Sequence, residues 1–395
     1  MRILYDHQIF SYQNYGGISR YFANIIANLP KGVKADISIK FTNNEYVKKL
    51  KLVNDIEEPY KAIDKFITKK NFKGKASLFK VAKKLYPGKF IDSITCNRNY
   101  SIEIIKQQQF DVFHPTYYDD YFLEYLGEKP FVVTVHDMIH ELYPEMFNDT
   151  QLAVRKARLI KSAAHIIAVS ENTKRDIMNI LDVPDSRISV IYHANALERV
   201  NGTHQENPGK YFLYVGGRSN YKNFMFFASA IQPILENSQN LSVICTGRGF
   251  NTRETDYLKS LGVYNRFISI STDDKELAIL YSNAIALVFP SYYEGFGIPI
   301  LEAFEMGCPV LLSNIGSLKE VAGDAAIYFD PKNMVSLRSA IINILNNHAL
   351  RDSVKFKGYE KIKEFSWEKS ALETARIYQE IIKYLRFSTN CTYNS

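Results

Sequence analysis

Short apolar segments alternate with amphipathic segments along the whole chain. Residues 131–135 (Phe-Val-Val-Thr-Val) and 211–215 (Tyr-Phe-Leu-Tyr-Val) are apolar runs of strand length, and each is followed by polar or glycine residues. Residues 21–29 instead place apolar side chains three and four positions apart, which is the spacing of one helical face. This alternation of strand and helix signals predicts an α/β fold with parallel sheets.

The predicted strands fall into two series, separated by a polar stretch between Asn195 and Gly209. Each series resembles a Rossmann half, and two such halves imply a cleft with ligands at the carboxyl ends of the strands. We therefore predict an N-terminal Rossmann-like domain over 1–197 with a basic insertion at about 45–90, a second Rossmann-like domain over 205–366, and a final helix and tail over 367–395.

The composition is that of a reduced, globular protein. The 395 residues are 46% hydrophobic, and no apolar run approaches the length of a membrane-spanning helix. The chain begins directly on an apolar strand, so no secretory signal is expected. Its four cysteines lack Cys-x-x-Cys spacing, which favours a cytosolic protein.

Positive charge is concentrated in one segment. The net charge is +7, yet residues 48–89 alone hold thirteen lysines against four acidic residues. Within this segment, residues 75–86 place apolar side chains on one helical face, namely Leu78, Phe79, Ala82, Leu85 and Tyr86. Such a helix could lie on an anionic membrane surface, or it could be a solvated helix packed on its own domain. Nucleic acid is not expected, since the rest of the chain lacks a basic stripe.

Residues 291–302 (Ser-Tyr-Tyr-Glu-Gly-Phe-Gly-Ile-Pro-Ile-Leu-Glu) follow an apolar strand and open a helix. Gly295 and Gly297 allow close backbone approach to a ligand, and the helix N-terminus favours an anion such as a phosphate. Glu294 and Glu302 could then accept hydrogen bonds from hydroxyl groups on either side of that phosphate. The alternative interpretation is that Glu294 and Glu302 are ordinary surface glutamates near the start of a helix.

Two more glycine-containing stretches follow predicted strands. Gly216-Gly217-Arg218 and Lys222 come after the strand at 211–215, and a guanidinium with an ammonium group suits a diphosphate. A basic helix start is the alternative, although cations are unfavourable there. Gly16 and Gly17 form a comparable turn after the first strand.

His136 ends the strand at 131–135 and is followed by Asp137, His140 and Glu141. The i, i+4 spacing of the histidines raises a metal site as an alternative, but a zincin requires His-Glu-x-x-His on a helix. The chain also has no Asp-x-Asp to hold a divalent ion against a diphosphate. We expect no metal and no cofactor.

These residues carry a resemblance to the retaining GT-B glycosyltransferases of family 4. The most specific part is Glu-x₇-Glu (Glu294 to Glu302), supported by Gly-Gly-Arg-x₃-Lys-Asn at 216–223, Val-Ser-Glu-Asn-Thr-Lys at 169–174 and Phe-Ser-Trp-Glu-Lys at 365–369. The opening, with Gly-Gly-Ile-Ser-Arg-Tyr-Phe, resembles bacterial enzymes of surface-polysaccharide (O-antigen and capsule) synthesis, several of them mannosyltransferases.

The resemblance implies a role for each matching residue. Glu294 would hold the donor sugar, Glu302 the ribose, and Arg218 with Lys222 the diphosphate, while His136 would face the sugar from the first domain. The last helix would cross back to the N-terminal domain. The catalytic residues would be Glu294, His136, Arg218 and Lys222, and the donor-binding residues Gly16, Gly17, Gly217, Arg218, Lys222, Glu294, Gly295, Phe296, Gly297, Ile298, Leu301 and Glu302.

The function expected from the resemblance is transfer of a hexose, with mannose from GDP-mannose as the first choice, to a saccharide acceptor that is polyprenyl-linked. The protein would be cytoplasmic or peripheral on the inner face of the membrane. A glycoside hydrolase also uses two carboxylates but has no use for Arg218 and Lys222. A sugar-nucleotide epimerase of the same fold would also suit such a cleft, as would a non-catalytic nucleotide- or nucleic-acid-binding protein.

Overall fold

The computed structural model describes residues 1–66, 74–86, 90–147, 149–200, 209–218 and 220–392. Part of the predicted linker and part of the lysine-rich segment therefore lie outside the described residues. Twelve strands are described, β1 (Arg2–Tyr5), β2 (Lys34–Ile37), β3 (Val112–His114), β4 (Val132–Val135), β5 (His165–Ala168), β6 (Ile188–Val190), β7 (Lys210–Tyr214), β8 (Leu241–Thr246), β9 (Phe267–Ile270), β10 (Ala286–Phe289), β11 (Val310–Ser313) and β12 (Ile327–Phe329).

Seventeen α-helices are described between and after these strands. They are α1 (Gln8–Tyr12), α2 (Gly17–Ala27), α3 (Glu45–Lys49), α4 (Ala62–Lys65), α5 (Lys75–Leu85), α6 (Ser93–Lys106), α7 (Ile139–Leu142), α8 (Thr150–Ser162), α9 (Glu171–Leu181), α10 (Phe224–Glu236), α11 (Thr252–Ser260), α12 (Asp274–Asn283), α13 (Ile298–Glu305), α14 (Gly316–Ala322), α15 (Met334–Asn346), α16 (His348–Lys361) and α17 (Trp367–Thr392). None of the described helices is long and apolar enough to cross a bilayer.

All described strand pairs are parallel. In the N-terminal half, β2-β1-β3 and β4-β5-β6 form two three-stranded sheets, and a bridge between Phe113 and Phe131 connects β3 to the start of β4. In the C-terminal half, one sheet has the order β12-β11-β10-β7-β8-β9. Helices follow nearly every strand, as parallel connections require. The α/β fold with two Rossmann-like units, predicted from the alternating pattern, is confirmed.

The strands are buried because their apolar side chains meet helices on both faces of each sheet. In the C-terminal sheet, Leu213 and Leu287 pack towards α13 and α14, whereas Phe212 and Val288 pack towards α10 and α15. Alternate residues of one strand therefore belong to different cores. This arrangement fixes the register of each strand, since a shift by one residue would exchange its two faces.

Helix α17 packs against the N-terminal domain rather than the domain that precedes it. Its residues Trp367, Ala371 and Tyr378 belong to the core that also contains β1 and α2. The buried Tyr378 hydroxyl lies 2.7 Å from the Tyr5 hydroxyl and 2.6 Å from His114 Nδ1. The crossing of the last helix back to the first domain is thereby confirmed.

Candidate active site between the two domains

The site lies where the carboxyl ends of strands from both domains meet. After β10, residues 290–297 form a loop that ends at Gly297, whose φ of +107° lies in the left-handed region that favours glycine. Helix α13 begins immediately afterwards, with Pro299 in its first turn. The predicted sequence of strand, glycine loop and helix is confirmed, and the positive end of the α13 dipole faces the interdomain space.

Lys222 and Glu294 form a close ion pair, with 2.6 Å between Lys222 Nζ and Glu294 Oε1. Both side chains are largely withdrawn from solvent. Burial alone would lower the pKa of Lys222, but the charge of Glu294 and its hydrogen bond, together with Tyr221 and Asp137, outweigh burial and raise that pKa. Lys222 is therefore a fixed cation, and the structure brings together two predicted site residues that are far apart in sequence.

Arg218 has a different set of partners from Lys222. Its Nε lies 3.2 Å from Glu254 Oε2, and its Nη2 donates to the carbonyl oxygens of Arg248 and, at 3.0 Å, Gly249. Glu254 at the start of α11 thus holds the Arg218 guanidinium, whereas Glu294 holds the Lys222 ammonium group. Arg218 still lines a cavity of about 360 Å³ together with Arg248.

Glu302 is buried and both of its carboxylate oxygens are engaged. Oε1 pairs with Arg20 from the N-terminal domain, and Oε2 accepts a hydrogen bond of 2.8 Å from Tyr281. Arg20 also lies 2.8 Å from Asp274 Oδ1. Sequence reasoning missed these partners, although Arg20 stands three residues after Gly17 and Asp274 follows the carboxyl end of β9.

The Gly16–Gly17 turn of the N-terminal domain lies against the start of α13. Gly17 is the first residue of α2, and a Cβ atom at this position would lie 3.6 Å from Ile298 Cδ1 at the start of α13. Gly16 caps α2 and lies against the Gln13 side chain, whereas a Cβ at Gly217 would meet nothing within 4 Å. The start of α2 therefore covers the start of α13.

His136 lies directly against the glycine loop of the other domain. A Cβ atom at Gly295 would overlap the His136 carbonyl oxygen, so only glycine allows this approach. Burial lowers the pKa of His136 to about 4, and its buried Nε2 has no hydrogen-bond partner within the described part of the chain. His136 is thus a neutral imidazole with one unused nitrogen.

His193 follows β6 and completes this side of the site, although no sequence motif singles it out. Its ring stacks on that of His136 at a centroid distance of 5.8 Å and meets the Phe296 ring edge at 4.9 Å. The Phe296 and Leu301 side chains are themselves buried, both within the C-terminal core. What these two residues offer a ligand is therefore their backbone.

Hydrogen bonds fasten the glycine loop to the N-terminal domain. The Gly295 carbonyl oxygen accepts from Ser170 Oγ at 2.7 Å and from Thr173 Oγ1 at 3.2 Å. The Tyr293 hydroxyl accepts from the Met138 N–H at 3.1 Å and donates to Asp176 at 2.6 Å. The described structure is therefore the closed arrangement of the two domains. Across the described ranges, no three His, Cys, Asp or Glu side chains are grouped to hold a metal ion.

Two parallel Rossmann-like sheets facing each other, with the last helix returning to the first domain, constitute the GT-B fold of glycosyltransferases. HepE from Anabaena, solved in complex with UDP and glucose, superposes with a TM-score of 0.70 at 16% identity, covering 96% of this chain and 100% of that one. WaaG, a glycosyltransferase involved in lipopolysaccharide biosynthesis, gives a TM-score of 0.64 at 13% identity, covering 95% of this chain and 99% of that one.

The family follows from two sequence models, Glycosyltransferase Family 4 over residues 80–199 and Glycosyl transferases group 1 over residues 198–361. The chain belongs to this family of glycosyltransferases, as its motifs predicted.

Curated relatives are similar over more than half of the chain. The O-antigen chain mannosyltransferase B of Escherichia coli is 29% identical over 265 residues, which are 63% of this chain and 70% of that protein. The O-antigen chain mannosyltransferase RfbU of Salmonella typhimurium is 34% identical over 223 residues, or 54% of this chain and 60% of that protein.

Proposed function

We propose that this glycosyltransferase moves mannose from GDP-mannose to a hydroxyl group of a polyprenyl-linked saccharide, with retention of the anomeric configuration, in surface-polysaccharide synthesis. The names of its relatives support this proposal. Two are O-antigen chain mannosyltransferases, and a third, 26% identical over 263 residues (64% of this chain and 66% of that protein), is the GDP-mannose:cellobiosyl-diphosphopolyprenol alpha-mannosyltransferase of Xanthomonas campestris.

The observation that carries the proposal is the Lys222–Glu294 pair at the start of α13. A diphosphate at this helix start would meet the Lys222 ammonium group and the free N–H groups of the first turn. Glu294 would accept hydrogen bonds from the sugar hydroxyls on one side, and Glu302 from the ribose hydroxyls on the other. Arg218 would contribute from the neighbouring cavity, and neutral His136 would offer Nε2 to the sugar.

The reaction places opposite demands on the two sides of the anomeric carbon. The acceptor oxygen forms a bond to this carbon while the bond to the diphosphate oxygen breaks, and the acceptor proton passes to the departing diphosphate. Negative charge therefore grows on the diphosphate as positive charge grows on the sugar. Lys222 and the α13 N-terminus are fixed before the reaction and would stabilise the diphosphate without reorganisation.

Nucleotide binding and transfer test this proposal together. We expect GDP-mannose to raise the melting temperature of the purified protein more than UDP-, ADP- or dTDP-sugars do. We also expect GDP release to require a lipid-linked saccharide acceptor and to yield an α-mannoside. Conversion of the donor sugar without an acceptor would instead indicate an epimerase. Binding of oligonucleotides but no nucleoside diphosphate would indicate a non-catalytic protein.

We further propose that the transfer needs no metal ion, because Lys222 and the helix start supply the positive charge that a divalent cation would otherwise bring. Transfer should then proceed at an unchanged rate after dialysis against EDTA. A loss of activity that Mg²⁺ or Mn²⁺ restores would contradict this part of the proposal.

A membrane position is supported by the exposed apolar side of α5. Leu78, Val81 and Leu85 are 52, 57 and 68% exposed and share one face of the helix. Phe79, predicted to lie on this face, instead packs against Phe66 and Phe90 at centroid distances of 5.5 and 5.8 Å. The aromatic cluster thus attaches α5 to the domain while its other apolar residues stay exposed.

Lysines flank this exposed face, so its natural partner is an anionic phospholipid surface. The protein would then be cytoplasmic and peripheral on the inner face of the membrane, where a polyprenyl-linked acceptor is accessible. We expect co-sedimentation with vesicles containing phosphatidylglycerol at low salt, and its loss in a Leu78→Asp/Leu85→Asp variant. A matched Val335→Asp variant, at an exposed site on α15, should still pellet. Equal binding by both variants would refute the docking role of α5.

A further inference from the structure

Among the described residues, Arg20 makes the most buried charged contact between the two domains. Its side chain is 7% exposed, and its two terminal nitrogens reach different carboxylates of the C-terminal domain, Glu302 and Asp274. Its Nε donates to the Tyr46 hydroxyl at 2.9 Å within the N-terminal domain. A buried guanidinium is tolerated only when its donors are satisfied in this way, so the position of Arg20 depends on the closed domain arrangement.

The contact occupies the carboxylate that a nucleotide would need. Glu302 Oε2 already accepts from Tyr281 inside the C-terminal domain, which leaves Oε1 to face the cleft. Arg20 approaches from across the cleft and pairs with this oxygen. The Gly17 turn lies against Ile298 beside this pair. Ribose hydroxyls therefore cannot reach Glu302 while Arg20 is in place.

We propose that Arg20 competes with the donor nucleotide for Glu302. In the described arrangement Arg20 holds Glu302 across the cleft, and donor binding exchanges this ion pair for hydrogen bonds from the ribose. After transfer, the return of Arg20 to Glu302 helps to expel the nucleoside diphosphate product. The proposal rests on the assignment of Glu302 to the ribose made above, and it makes Arg20 a positioning residue rather than a catalytic one.

Nucleotide affinity tests the competition directly. We expect Arg20→Ala to lower the Kd for GDP, measured by calorimetry, by about tenfold, because a charge-assisted contact no longer has to be broken. The gain should be smaller for 2′-deoxy-GDP, which offers Glu302 fewer hydroxyls. The Kd for UDP is measured in parallel. The proposed replacement of Arg20 by ribose hydroxyls at Glu302 does not depend on whether the base is guanine or uracil.

Two further variants separate this effect from charge and from folding. Arg2→Ala removes the same charge from an exposed pair with Asp36 in the same domain, and it should leave the Kd within about twofold. Arg20→Gln keeps a polar side chain and should show the same direction of change if Arg20→Ala unfolds. Affinities are compared among the variants that keep the wild-type melting temperature.

Each outcome of these measurements supports or overturns either the competition by Arg20 or the proposed function. Unchanged GDP and UDP affinity in folded Arg20 variants would overturn the competition, while weaker affinity would overturn it by showing that Arg20 contacts the nucleotide itself. If the wild-type protein binds neither GDP nor UDP, the proposed function fails. If it binds them and Glu302→Ala weakens binding, but the Arg20 variants change nothing, the proposed function stands and only the competition fails.

Discussion

Replacing Gly295 by alanine should weaken the closed arrangement of the two domains while leaving the folding of each domain intact. The added Cβ would overlap the His136 carbonyl oxygen, and reaching even the 3.0 Å limit of real Cβ contacts requires the two backbones to separate by more than about 1 Å. The Cβ would be fixed to the loop backbone and the carbonyl oxygen belongs to the backbone of His136, so no side-chain rotation can relieve the overlap. The loop has to move away from the N-terminal domain.

That movement would stretch the hydrogen bonds that fasten the loop. The contacts at risk join Gly295 to Ser170 and Thr173 and join Tyr293 to Met138. At about 0.5–1.5 kcal/mol for each of these three bonds, their loss would cost the closed arrangement about 1.5–4.5 kcal/mol. The ratio of closed to open protein would then fall roughly 10- to 2000-fold.

Hydrogen exchange and kinetics measure this change in the Gly295→Ala variant. The Met138 amide should exchange faster because its acceptor on Tyr293 withdraws, and kcat/KM for mannose transfer should fall by a similar factor. The melting of each domain should change little. A Gly249→Ala control adds its Cβ in open space and should match the wild type. Wild-type exchange and wild-type activity in Gly295→Ala would refute the reasoning.

Three other outcomes are expected. Lys222→Ala should lower kcat more than tenfold with the domains still folded, because it removes the fixed cation and leaves Glu294 buried without its partner; near-normal turnover would remove the diphosphate assignment. Burial lowers the pKa of His114 to about 3 and of His136 to about 4, so the unfolded chain binds more protons below pH 6.5. The free energy of unfolding should therefore decrease as the pH falls from 6.5 to 4, by about 1.4 kcal/mol per pH unit for each histidine, and urea titrations at pH 7.5, 5.5 and 4.5 would show it. Cys245 and Cys308 are buried with their thiol pKa raised to about 12, so neither should react with iodoacetamide before unfolding, as peptide mass mapping would report.

The fold was predictable because most strands of both domains are buried on both faces and appear as apolar runs. β4, β7 and β10 are identified in this way. The edge strands β2 and β12 are not identified in this way. Strand β2 (Lys-Ala-Asp-Ile), for example, is largely exposed and carries two charges in four residues. An edge strand packs on fewer neighbours, so its sequence has no need of a continuous apolar run.

Part of the site was predictable for a similar reason. Glu294 and Lys222 each follow the carboxyl end of a strand, where the fold gathers ligand-binding residues. Arg20 and Glu254 could not be found in this way, because they lie within helices and act through long-range ion pairs that no sequence spacing records. The pairing of Arg218 with Glu254 is likewise revealed only by the folded chain.

The return of α17 to the first domain has a consequence for synthesis of the chain. The core around Tyr5 and Tyr21 is completed by Trp367 and Tyr378, which leave the ribosome about 170 residues after the rest of that domain. At a translation rate of roughly 5–20 residues per second, this core therefore stays incomplete for roughly 10–30 s, until Trp367 and Tyr378 have been synthesised. The N-terminal domain is therefore a discontinuous folding unit whose apolar groove stays uncovered during translation, and its maturation can finish only after the C-terminal domain has emerged.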